Sequence, residues 1–224
     1  MQGTILPDII LCRTLESIIK LLRNDLMENR ENEKESILYK IMGVDEDNQP
    51  LKWNLVNFYK QAKKIIQNEG NLSVNYGYNL ETSTPICLHI ILPSEQGKMM
   101  IGADEGYVGE RDEEGNLQLY HTEMYDTTYQ IMITSNNSTE VTLVYNILKS
   151  MLLMIADQLD LMGLRCPTFS GNDIVMQDEL TPVPIFHRII NVSFTYEHNV
   201  PKLTKDKIGR NFYYLYKLAD YEGE

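Results

Sequence analysis

From Pro7 onward apolar side chains recur every three or four residues: Leu11, Leu15, Ile18, Ile19, Leu22 and Leu26. Arg13, Glu16, Lys20, Arg23 and Asp25 fill much of the remainder. This is the 3.6-residue period of an amphipathic helix, and it fades near Asn29. Pro7 suits the first turn, where its missing N–H has no partner to lose. The charged run 29–36 predicts a solvated helix end or a loop. Asp45-Glu46-Asp47-Asn48-Gln49-Pro50 predicts a turn. Trp53, Val56, Phe58, Tyr59, Ala62, Ile65 and Ile66 then resume helical spacing, closed by Gly70. Within residues 37–85 this piece reads as an insertion or a peripheral helix.

The pattern next changes period. Ile86 to Leu92 is a short apolar run between Pro85 and Pro93, which predicts a buried strand. Residues 94–120 form a Gly-, Asp- and Glu-rich excursion. A hairpin is expected there, turning at Glu113-Glu114-Gly115-Asn116 and returning through Leu117 to His121. From Thr127 to Thr134 the chain alternates, with Tyr129, Ile131 and Ile133 on one face and Thr128, Gln130, Met132 and Thr134 on the other. That is the signature of a half-buried strand. Ser138 or Asn137 then caps a helix, with Glu140 in its favourable first turn.

This helix, Thr139 to Met162, is the strongest element. Val141, Tyr145, Leu148, Leu152, Ile155 and Leu159 form one stripe; Leu143, Ile147, Met154 and Leu161 form a second, on roughly the opposite side. A helix apolar on two sides must be covered twice. One cover is its own sheet; the other is either the N-terminal helix or a neighbouring subunit. Gly163 ends the helix. A turn is expected at Gly171-Asn172-Asp173, and Thr181-Pro182-Val183-Pro184 suits neither a helix nor a central strand. Arg188, Ile190, Val192, Phe194 and Tyr196 alternate with Ile189, Asn191, Ser193, Thr195 and Glu197 in a long strand with one wet face. Together these elements predict an α+β domain over residues 1–200, whose segment Tyr125 to Pro201 is a strand–helix–strand–strand module built for packing. Residues 201–224 are a Lys-rich linker and an acidic-ended aromatic tail carrying Phe212, Tyr213, Tyr214, Tyr216 and Tyr221. That tail either packs as a last helix or docks onto a partner.

Composition narrows the function classes. The 224 residues carry 32 acidic and 20 basic side chains, a net charge of -12. Such a chain is repelled by phosphate backbones, and it has no dense Lys/Arg run, so bulk nucleic-acid binding is not expected. Cys12, Cys87 and Cys166 lie far apart with no CxxC pair, which argues against a disulfide framework or a zinc site. No basic leader and no apolar run of about 18 residues is present, so a soluble, intracellular-type protein is expected.

Little in the chain suggests chemistry. His121 and Glu123 share a strand face but have no further ligand at metal spacing. His89 sits in an apolar strand as a core histidine, and His187 opens a strand in a structural role. The Asp45/Asp47/Asn48 cluster lacks the glycine of a calcium loop and has Val56 where the glutamate belongs. The carboxylates of Asp104-Glu105 and Glu110-Arg111-Asp112 leave two readings, an exposed mixed-charge loop or a glycosidase-like pair. No GxSxG, Walker A or GxGxxG motif occurs. No catalytic residue, metal or cofactor is therefore assigned.

The stretch Thr181-Pro182-Val183-Pro184-Ile185-Phe186-His187-Arg188-Ile189-Ile190-Asn191-Val192-Ser193-Phe194, continuing through Glu197-His198-Asn199-Val200-Pro201, resembles the end of tail-terminator and tail-completion proteins of tailed phages. The Tyr129 to Ile133 strand and the Thr139 to Met162 helix match the same pattern. The low-Gly, Asn/Ile/Tyr/Met-rich style resembles proteins of crAss-like phages. This resemblance implies a tail-terminator-like mixed sheet, packed by the N-terminal and long central helices, in a domain that forms rings between capsid connector and tail. It implies a virion structural protein of the neck or tail, assembled in the host cytoplasm. Its partners would be copies of itself in a six- or twelve-fold ring and the portal, connector and tail proteins. DNA would pass through without specific binding, and no membrane is involved. The family transfers no catalytic residues. The candidate interface residues are Leu143, Ile147, Met154 and Leu161 on the second helix stripe, with Phe212, Tyr213, Tyr214 and Tyr216 in the tail. Two rival readings are an intracellular assembly adaptor that never enters the particle and a small hydrolase using the acidic 104–123 region.

Overall fold

Helix α1 spans Pro7–Glu28, with Pro7 in its first turn and Asn29 as its C-cap. The computed structural model describes residues 5–42, 52–77, 84–98, 107–111, 117–173 and 185–201. The six apolar positions that define the helical period are all buried. Asn29 folds back on Asp25, whose other carboxylate oxygen accepts the Ile37 N–H at 2.7 Å. The charged run 29–36 is thus ordered rather than loose. It holds a single 3-10 turn, Glu33–Glu35, and leads into α2, Ile37–Met42. Ser36 caps α2 by accepting from Tyr39 N–H at 3.2 Å.

Helix α3 runs Lys52–Gln67. This helix, within the segment read as an insertion or a peripheral helix, packs on its neighbours. Tyr59, Ala62, Ile65 and Ile66 are buried, and α3 contacts α1, α2 and α4 (Ser138–Met154). Arg23 of α1 donates to the Ile66 carbonyl at 2.8 Å, satisfying an acceptor that the end of α3 leaves open.

The chain divides into two compact units, where the sequence predicts one domain over 1–200. One comprises Leu6–Gln96 and Tyr125–Tyr196; the other comprises Met1–Ile5, Gly97–Met124 and Glu197–Glu224. In the second, β3 (Tyr107–Arg111) pairs antiparallel with the start of β4 (Leu117–Ser135), Arg111 opposite Leu117. This is the expected hairpin. Its turn residues lie outside the described residues, as do Asp104, the 45–50 turn and the tail after Pro201.

The larger unit is a helical layer on a mixed sheet. The sheet also holds β1 (Leu72–Tyr76), β2 (Ile86–Lys98), β5 (Arg165–Asp173) and β6 (Phe186–Pro201), in the order β1-β2-β4-β6-β5. β1 and β2 are parallel; β5 and β6 are antiparallel. Thr128 meets Ser193 and Asp126 meets Thr195, so β4 and β6 are antiparallel too. It follows that β4 and β5 run parallel with β6 between them, joined by a helical crossover. Parallel strands need such a connection.

Tyr129, Ile131, Ile133, Ile190, Val192 and Phe194 are buried, and Tyr129 is stacked on Phe194 at 5.7 Å. Tyr129 donates to Asp8 of α1 at 2.9 Å, which places this face against the helices. Tyr196 donates to Glu95 at 2.5 Å nearby. The other face is not simply wet. Met132, Thr134 and Ile189 are buried with Cys87, His89 and His187. Thr134 sits within 3.4 Å of the Cys87 carbonyl and 3.3 Å of His89 Nε2. The half-buried strand expected from alternation is therefore buried on both faces over its last turns, because β4 is central.

The long central helix is also interrupted. α4 ends at Met154; Ile155 (φ -104, ψ 12) breaks it before α5, Ala156–Leu161. Gly163 adopts φ 98 and closes α5 as expected. Gly163 N–H bonds the Asp160 carbonyl and Leu164 N–H the Leu159 carbonyl, each at 3.0 Å. With Leu159 and Leu164 both buried, this is a complete Schellman cap. Asn137, not Ser138, caps the start of α4, accepting from Thr139 N–H.

Candidate interaction surface

The C-terminal ends of α4 and α5 carry exposed apolar side chains. Leu153 is 57% exposed, Met154 54%, Leu161 86% and Met162 48%. The Schellman cap turns Leu159 and Leu164 inward and leaves Leu161 and Met162 outside. Two of the four helix positions named from the sequence, Met154 and Leu161, are among them. The other two do not: Leu143 (5% exposed) and Ile147 (0%) are buried within the chain. Their cover comes from within the chain, where α1, α2 and α3 all pack on α4. Leu153 and Met162 were missed because neither falls on a clean stripe once the helix breaks at Ile155. Phe212, Tyr213, Tyr214 and Tyr216 lie outside the described residues.

Beside α5 runs β5, which lies at the end of the strand order. Among the described residues no further strand pairs with its outer edge, and such an edge is the usual template for adding another chain. The expected turn at Gly171-Asn172-Asp173 is instead strand, paired to Ile190, Ile189 and Arg188. Packing explains the difference. A Cβ on Gly171 would lie 1.8 Å from the Tyr145 hydroxyl and 2.7 Å from its ring, so glycine is required by a close approach and not by a bend. Arg188 lies over the same Tyr145 ring at 4.9 Å and grips Asp173 through two hydrogen bonds, of 2.6 and 3.2 Å. The guanidinium holds the Asp173 carboxyl below its ordinary value. Tyr145, Arg188 and Asp173 together brace β5 against α4. Near its start β5 bulges at Cys166, which adopts φ 51 and donates its N–H to Asp160 at 2.7 Å.

The open face of β4, β6 and β5 holds a polar groove of about 630 Å³ lined by Ser94, Asp126, Thr128, Thr168, Ser193 and Thr195. Its hydroxyls bond across the strands: Thr128 to Ser193 at 2.8 Å, Thr195 to Asp126 at 2.5 Å and Thr168 to the Ser193 carbonyl at 3.4 Å. This is a hydrogen-bonded ladder across strands, a device of sheet stability. Among the described residues no group of three His, Cys, Asp or Glu side chains could hold a metal ion. The cysteines are free, with Cys12 and Cys87 buried and Cys166 exposed. No described helix is long and apolar enough to cross a membrane.

His89 and His187 have consequences for stability. His89 contacts the Gly77 carbonyl through Nδ1 and Thr134 through Nε2, both at 3.3 Å. Neither ring nitrogen of His187 meets a hydrogen-bond partner among the described residues. Burial pushes both imidazoles below their ordinary value, and His89 lowers His187 further. A histidine with a depressed folded pKa stabilises the fold above its unfolded value and loses that contribution as pH falls. Unfolding in urea at pH 7.5 is therefore expected at a higher midpoint than at pH 5, the loss starting near the ordinary value of 6.5. His187→Phe is expected to flatten this dependence; an unchanged slope would exclude His187 as its source.

The sequence matches no protein-family profile and no curated protein.

Proposed function

We propose that this chain is a virion structural protein that forms an oligomeric ring at the head–tail junction of a tailed phage. The observation that carries the self-assembly half is the exposure of Leu153, Met154, Leu161 and Met162. Exposed apolar side chains on helix ends, with α5 packed on the terminal strand of the sheet, suit a protein–protein contact. The resemblance of the C-terminal half to tail-terminator proteins supplies the location. In that setting the surfaces around β5 and α5 pair neighbouring subunits. The net charge of -12 suits a channel wall along which DNA slides without sticking.

Native mass spectrometry and light scattering of the purified protein test the reading, alone and with portal or tail proteins. A closed ring is expected. Met154→Glu combined with Leu161→Glu is expected to shift the population to monomer while leaving the circular dichroism spectrum unchanged, since both side chains face solvent in the single chain. A strict monomer under all these conditions would overturn the proposal.

A further inference from the structure

A second groove, of about 500 Å³, lies between α2, α3 and α4. Ile41, Phe58 and Leu143 give it an apolar floor, and Thr142, Asn146 and Ser150 line one side. These three polar residues recur every four positions on α4, so they form one rail of short side chains along the helix. Short side chains let another backbone come close, and their hydroxyl and amide groups can bond a polar tip. Phe58 leaves part of its ring open to solvent there.

We propose that this groove receives the C-terminal segment of a neighbouring copy. The inference rests on the self-assembly reading above and extends it to a specific contact. Segment and groove are chemically complementary. Between Lys202 and Lys217 the chain carries five basic residues (Lys202, Lys205, Lys207, Arg210 and Lys217) against the single acidic Asp206, in a protein whose net charge is -12. This segment is attracted to the acidic body of another copy. Its apolar residues Ile208, Phe212, Leu215, Tyr216 and Ala219 fall at i, i+4, i+7, i+8 and i+11. That spacing places them on one face of a helix formed on docking, the pattern by which amphipathic helices fill grooves. Tyr216 presents an apolar ring with a polar tip, matched to an apolar floor beside a hydroxyl-bearing rail. The 23 residues from Lys202 to Glu224 can span roughly 75 Å when extended.

Full-length protein carrying p-benzoylphenylalanine in place of Tyr216 tests this. Heavy- and light-isotope copies are mixed, irradiated and digested. Cross-linked peptides joining a heavy tail to light residues 138–150 or 52–60 are expected. Thr142→Arg, at an exposed position, is expected to cut their yield about tenfold, because it fills the groove and repels the basic segment, a cost of about 1.4 kcal/mol. Asn146→Arg, exposed on the same rail, provides a second variant with the same expected loss. Cross-links confined to a single copy, or mapping elsewhere while native mass shows an assembly, would overturn the docking proposal alone. Absence of any assembly by native mass would remove the self-assembly reading and this proposal with it.

Discussion

Ile147→Ala is expected to lower the unfolding free energy by about 2–5 kcal/mol, the range for deleting a fully buried aliphatic side chain and leaving a cavity. The residue is 0% exposed in the single chain, on a helix packed by α1, α2 and α3. The result separates two roles that the helical stripe alone leaves equivalent. An interface residue would weaken assembly and spare the subunit. A core residue weakens the subunit itself, at a protein concentration where any assembly has dissociated. Denaturant unfolding of dilute protein, followed by far-ultraviolet circular dichroism, measures the difference. An unfolding midpoint equal to that of the unaltered protein would return Ile147 to the surface.

Gly171→Ala is the second large effect. The added methyl collides with the Tyr145 ring, and both the hydroxyl and the ring carbon behind it are closer than any real Cβ contact. Tyr145 cannot simply swing aside, because Arg188 lies over its ring and Asp173 holds Arg188. Overpacking of this kind costs about 1–3 kcal/mol. Loss of the brace is also expected to loosen β5, so amide exchange along Arg165–Asp173 should accelerate more than along β4. The double change Gly171→Ala with Tyr145→Ala removes the collision and is expected to recover part of the loss. If the single substitution is neutral, the close approach has no energetic weight.

These two positions also show where the sequence is legible. Helix α1 was readable to within one residue because its buried and exposed positions obey one period and Pro7 and Asn29 mark its ends. The α+β class followed from alternation in β4 and β6 and from the helix between them. β1 went unread because Leu72-Ser73-Val74-Asn75-Tyr76 is a short edge strand with modest burial, so it carries no strong pattern. Gly171 predicts a turn because glycine marks turns locally; its real constraint is a tyrosine 26 positions earlier in the chain. The break at Ile155 has no Gly or Pro to announce it. Of the interface candidates, Met154 and Leu161 sit on the surface, while Leu143 and Ile147 lie inside. That division depends on where α1, α2 and α3 pack, which is a tertiary fact absent from the period of α4.

The strand order has a consequence for synthesis. β6 lies between β4 and β5 in the folded sheet and follows both in the chain, so neither has this partner until β6 is made. A nascent chain that stops before Ile185 holds its helical layer and β2 but leaves one side of β4 open and β5 without a neighbour. The sheet therefore closes from its middle, and only once residues Phe186–Pro201 have been made. Until then the apolar row Tyr129, Ile131 and Ile133 has lost its lateral partner. Ribosome-bound intermediates of this length are the species on which a chaperone would act, and fusion partners are better placed at the N-terminus, where α1 is already complete.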